Sequence, residues 1–188
     1  MRRTTIATAF AATVAAGLAT ALTLGQAAPA SADAIGVRDP RDLRHGADLR
    51  SVEVDHRARN IVVTTTHTDL RESFTSGSSG SVFIDTDPDR PGPEYVFAGG
   101  YFVGTDYVLV ATDGFARQAW REPVDGSYRM KVDYDRDQVR MRISRAAIGN
   151  PDEVRVAARV AGLRRDGRST RRDWLGAPRS FTDWVARS

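Results

Sequence analysis

The chain has 188 residues, no cysteine and a formal net charge of +3, which excludes disulfide stapling, thiol catalysis and thiolate metal sites. Its 27 basic residues are nearly balanced by 24 acidic ones, and the arginines are scattered among the acids, so the chain lacks the charge footprint of a nucleic-acid binder. The length suits one domain with its own core.

Residues 1–34 read as a secretory signal peptide. Arg2 and Arg3 precede an uncharged Ala/Thr/Leu-rich stretch, and small-x-small sites end at Ala30, Ala32 and Ala34. No basic stop-transfer cluster follows, so the expectation is a secreted, extracellular protein with no membrane attachment after cleavage. Residues 35–49, IGVRDPRDLRHGADL, read as a polar N-terminal arm, and residues 50–188 as a single β-sandwich domain.

From there the hydrophobic period is two. In SVEVD, Val52 and Val54 lie opposite Glu53 and Asp55, and NIVVTTTHT is dense in β-branched residues, so a strand pair across a turn at 56–59 is predicted. Further strands are predicted around 82–85, in EYVFAGG and in TDYVLVATDG, with Trp120 in a looser loop beyond. Tyr128, Met130 and Val132 alternate with Arg129, Lys131 and Asp133; Val139, Met141 and Ile143 alternate with Arg140, Arg142 and Ser144. That pattern predicts an antiparallel hairpin with one apolar and one charged face. SRAAIGNPDE is too short for a long helix and predicts a 3₁₀ connector. EVRVAARVAG then resumes alternation, and the tail RRDWLGAPRSFTDWVARS predicts closure of one end of the core by a short helix or edge strand.

No sustained helical stripe follows the leader. Eight candidate strands between Gly-, Pro- and Asp-rich turns predict an all-β fold, an antiparallel β-sandwich of jelly-roll-like or immunoglobulin-like topology.

The stretch IDTDPDRPGPEY offers the densest acid cluster. Asp85, Asp87, Asp89 and Glu94 are candidate calcium ligands, with Asp48 of the arm, alongside Asp39 and Asp42, as a remote contributor, because calcium takes six to eight oxygens. An EF-hand is excluded, since Arg90 occupies the glycine position and no helical pattern flanks the loop. The competing reading is a stiff turn in which Pro88, Pro91 and Pro93 restrict the backbone and the aspartates bond nearby N–H groups. A glycosidase would require two carboxyls across a cleft, which this turn does not specify. His45, His56 and His67 show no tight metal spacing, and His67 reads as structural or surface.

Trp120, Trp174 and Trp184 are candidate ligand-binding residues, since indole faces suit the apolar faces of sugars; closure of the core is the competing role for the tail tryptophans. Arg129 and Arg140, with Lys131 and Arg142 on the same hairpin face, are candidates for an acidic wall polymer or a sulfated or uronic glycan, against a solvated charged face.

The order VFIDTDPDRPGPEY, GTDYVLVATDG, YRMKVDYDRDQVRMRISRAAIGNPDEVRVAARV and a terminal SFTDWVAR resembles small uncharacterised secreted proteins of Streptomyces and related actinobacteria over residues 39–187. More remotely, the strand, ISRAAIG connector and strand resemble family 9-like carbohydrate-binding and DOMON-like β-sandwiches. That resemblance implies sugar binding, sometimes with calcium or haem, although Met130, Met141 and the histidines form no pattern of axial ligands. The resulting expectation is a secreted non-catalytic binding module for extracellular carbohydrate or cell-wall material. A structural or protein-interaction domain and a polysaccharide hydrolase with an unrecognised acidic site are the alternatives.

Overall fold

The computed structural model describes residues 34–41, 48–75, 77–163 and 170–188. The predicted signal sequence, apart from Ala34, lies outside these, as do Asp42 and His45. Among these described residues, twelve strands form two antiparallel sheets packed as a β-sandwich. They are β1 (Ala34–Arg38), β2 (Leu49–His56), β3 (Asn60–His67), β4 (Ser78–Asp85), β5 (Tyr95–Gly100) and β6 (Tyr107–Thr112), followed by β7 (Trp120–Pro123), β8 (Tyr128–Asp133), β9 (Gln138–Ser144), β10 (Glu153–Leu163), β11 (Thr170–Trp174) and β12 (Val185–Ala186).

The first sheet has the order β1-β2-β3-β9-β8, and the second β11-β10-β4-β5-β6-β7 with β12 also on β10. The chain crosses between sheets after β3, β7 and β9. Two of these crossings run side by side, so β3 pairs with β9 in one sheet and β4 with β10 in the other.

Alternation explains the core. Val52, Val54, Ile61, Val63, Val139, Met141 and Ile143 point inward from the first sheet and meet Val82, Ile84, Phe97, Leu109, Val154 and Val156 from the second, all buried. β4 departs from alternation, because Phe83 on its outward side is as buried as Val82 and Ile84. Phe83, Val96, Val110 and Ala157 form a second apolar cluster on the outer face of the second sheet, roofed by Phe115, Trp120, Trp174 and Phe181. A continuous apolar run in β4 therefore reflects a strand covered on both faces.

Tyr101 is fully buried, and its hydroxyl sits 1.8 Å from where a Cβ on Gly80 would be, so only glycine fits at that point of β4. At the other end, buried Arg145 in the 3₁₀ turn Arg145–Ile148 donates to the carbonyls of Ala58 and Asn150, binding the first hairpin to the connector.

Two expectations are corrected. The polar arm begins as strand β1, which pairs with β2 from Ala34↔Asp55 to Arg38↔Ser51. Its backbone pairing needs only an exposed edge, so a short strand with little apolar pattern suffices. Trp120 opens strand β7 instead of lying in a loop. The tail supplies edge strands as expected: β11 and β12 both pair with β10, β11 on the edge opposite β4.

Candidate functional site

The acidic turn is built as a brace. Asp85, fully buried at the end of β4, accepts from Arg155 Nε at 2.8 Å and ion-pairs with Arg155 Nη2 at 2.7 Å. It also accepts a 3.3 Å bond from the Asp87 N–H, and Asp87 in turn accepts from the Asp89 N–H at 3.0 Å. Glu94 accepts from the Thr86 N–H at 2.8 Å, and burial raises its carboxyl pKa. Arg90 reaches across to Asp113 at 2.9 Å. These are the side-chain to backbone bonds expected of a rigid turn.

Asp48 is elsewhere. It is buried, accepts from Thr68 Oγ1 at 2.6 Å and adjoins Leu49, whose N–H donates to Asp173. Asp173 pairs with Val160, whereas Asp85 pairs with Arg155. Five steps along β10 separate the two levels, about 16 Å. Asp48 and the acidic turn therefore do not converge, and among the described residues no three His, Asp or Glu side chains are placed to hold a metal. Asp39 accepts from the Gly176 N–H at 2.9 Å.

His67 is buried in the core. Its Nε2 is hydrogen-bonded to Thr65 Oγ1 at 2.8 Å, its ring meets Tyr101 edge-on, and burial lowers its pKa to about 3.

The tryptophans are partly buried and their faces have partners. Trp174 stacks on Phe83 at 5.8 Å; Trp184 lies under the Arg155 guanidinium at 4.5 Å; Trp120 lies under that of Arg117 at 4.1 Å. Arg155 also covers Phe181 at 4.7 Å, so one guanidinium joins the acidic turn to the tail. These contacts support the closing role of the tail and give each indole a partner on its ring.

Arg129 and Arg140 stand on the outer face of the first sheet, where the register pairs Arg129 with Arg142 and Lys131 with Arg140. All four are exposed, and none makes an ion pair among the described residues. Like charges directly opposite repel. Glu53 and Asp55 occupy the same face two strands away, across Thr64 and Val62, a separation of about 9.5 Å that is comparable with the screening length at physiological salt. The surface is a sheet face with separated basic and acidic halves.

The concave site is on the outer face of the second sheet. The register sets Trp174, Arg159 and Ser81 in one row across β11, β10 and β4, and Arg172, Ala161 and Ser79 in the next. Short side chains at Ser79, Ser81 and Ala161 leave a trough between taller neighbours. The 3₁₀ turn Arg117–Ala119 supplies the opposite wall, and the groove encloses about 440 Å³.

Among the described residues, three arginines line it: Arg117, Arg159 and Arg172. Arg159 is half-buried, donates to Ser81 Oγ at 3.3 Å, and has its pKa lowered by burial and by the neighbouring Arg172. The other polar lining side chains are Ser79, Ser81, Gln118 and Thr170, and the described lining contains no carboxylate or imidazole. Such a wall presents an excess of donors and positive charge, the chemistry that takes an acceptor-rich anion; planar guanidiniums suit carboxylate and phosphate in particular.

Two of the nominated tryptophans adjoin this groove, Trp120 beneath Arg117 and Trp174 beside Arg159. The three arginines themselves carry no local sequence signal. Arg159 is recognisable as outward-facing in EVRVAARV, but Arg117 and Arg172 join it only through the β10–β11 pairing and the turn before β7. No family model matches the chain, and no curated protein matches it.

Proposed function

We propose that this is a secreted, non-catalytic binding module that takes anionic groups of extracellular carbohydrate or cell-wall material in the arginine groove of its second sheet. The observation that carries the reading is the convergence of Arg117, Arg159 and Arg172 around a floor of small residues with no acidic side chain among the described lining. Bringing three cations together and partly burying one opposes folding unless an anion neutralises them. The lining supplies donors, which favours holding a ligand over proton transfer to it. The leader-like residues 1–34 fit an extracellular ligand.

Titration calorimetry with uronate- or phosphate-bearing polysaccharides, against neutral polymers of similar size, tests this. Anionic polymers should bind and neutral ones should not, with affinity falling as salt rises. Arg172→Gln, an exposed change, should weaken binding by about tenfold or more, since a charge-assisted hydrogen bond contributes about 1.5–3 kcal/mol. Equal binding of neutral polymers, or an unchanged affinity in R172Q, would overturn the proposal.

A further inference from the structure

A second concavity of about 470 Å³ adjoins the arginine groove and shares Ser79, Ala161 and Thr170 with it. Its character is opposite. Phe74 and Phe102 line it as one packed pair, their rings edge-on at 5.3 Å, and Gly77 and Gly162 contribute backbone and no side chain. Phe102 is fixed from behind: a Cβ at Gly77 would lie 2.8 Å from its ring, and one at Gly100 2.6 Å. Phe74, by contrast, is 73% exposed and Val103, next to Phe102 in the chain, 66%. An aromatic wall of one seated and one exposed phenylalanine, continuous with a cluster of cations, is a surface with two chemistries end to end.

We infer that the ligand of the arginine groove is amphiphilic: an oxyanion head held by Arg117, Arg159 and Arg172, joined to a hydrocarbon tail that lies along the wall formed by the packed Phe74 and Phe102 rings, over Gly77 and Gly162. This rests on the anion-binding reading above and narrows it. Continuity of the grooves selects the occupant. A purely polar anion leaves the phenylalanine-lined hollow wet, and a purely apolar molecule leaves the three guanidiniums without counter-charge. Tail and head are addressed separately, since burial of each methylene strengthens binding about fourfold, whereas the head is governed by charge and salt.

The experiment measures affinity of the full mature chain for monoalkyl phosphates of increasing chain length below their micelle concentrations. Alkanoates of matching length serve as a parallel arm to distinguish phosphate from carboxylate heads, and octyl glucoside as the uncharged amphiphile. Affinity should climb about three- to fourfold per methylene and level off once the hollow is filled. Phe74→Ser, at an exposed position, should flatten the chain-length dependence while leaving methyl phosphate binding unchanged. Arg172→Gln should weaken every anionic chain length by a similar factor. If methyl phosphate binds but longer chains gain nothing, the amphiphile inference fails and the anion site stands. If no phosphate or carboxylate binds at any length, the anion site itself fails. Binding of octyl glucoside as tight as octyl phosphate, indifferent to R172Q, would mean hydrophobic adsorption and overturn the inference as well.

Discussion

At the scale of single residues, two buried ionisable groups have consequences that can be measured. His67 is held near pKa 3 by burial, while in the unfolded chain it protonates near 6.5. Between those values the unfolded state binds the extra proton, so stability rises with pH. The contribution of neutral His67 is complete above about pH 6.5 and is lost as pH falls toward 3, at up to about 1.4 kcal/mol per pH unit. His67→Gln should flatten the pH dependence of the urea midpoint between pH 6.5 and 4; an unchanged slope would place the sensitivity on other groups. Asp85 presents the complementary case. It is fully buried, with Arg155 as its ion-pair partner, so Arg155→Ala strands a carboxylate. A loss of about 3 kcal/mol is expected in chemical denaturation, the low end of the range for breaking a buried pair because Arg155 is itself partly exposed. The same pairing bears on calcium: Asp85 and Glu94 already accept from Arg155, Asp87 and Thr86. The melting temperature should therefore not move between EDTA and calcium, and a rise with calcium would return the acidic turn to the list of metal sites.

At the scale of elements, the second sheet carries apolar clusters on both faces, and its outer one depends on the tail. Phe83 is roofed by Phe115 and Trp174, and Phe115 is in turn packed on Phe181. Phe83→Ala should cost about 3–5 kcal/mol, as much as a substitution in the inner core, and differential scanning calorimetry would show it. The hairpin β8–β9 was legible in sequence because strict alternation of apolar and charged residues leaves one register that buries Met130, Met141 and Ile143. Strands β1, β7 and β11 were not, for they lie at edges, where backbone pairing suffices and side-chain pattern is weak, and β12 was readable only as a short helix or an edge strand. The turn at 84–95 was legible as stiff from its prolines, but the identity of the group that neutralises Asp85 was not, since Arg155 is brought there by the pairing of β4 with β10. The groove shows the same limit: each of its arginines looks like an ordinary surface residue until β10, β11 and the turn before β7 are assembled.

At the scale of the whole molecule, the two outer faces differ in kind. The first sheet shows an array in which basic β8–β9 and acidic β2 are separated by Val62 and Thr64 of β3, whereas the second carries relief, with aromatic roof, arginine groove and phenylalanine-lined hollow in succession. Ligand binding should therefore respond to R172Q and R159Q and be indifferent to Arg129→Gln and Arg140→Gln, a contrast readable in one binding series; equal losses would relocate the site to the hairpin. The paired crossings have a further consequence, in time instead of space. Val63 meets Met141, and Ser81 meets Arg159 at a separation of 78 positions, so the central pairs of both sheets join early chain to late chain. Such distant pairing makes folding slow, in the range of milliseconds to seconds, and leaves β3 and β4 without their central partners until β9 and β10 have been made. During that interval the apolar run of β4, destined for cover on both sides, is the segment most exposed to mispairing with another copy of the chain.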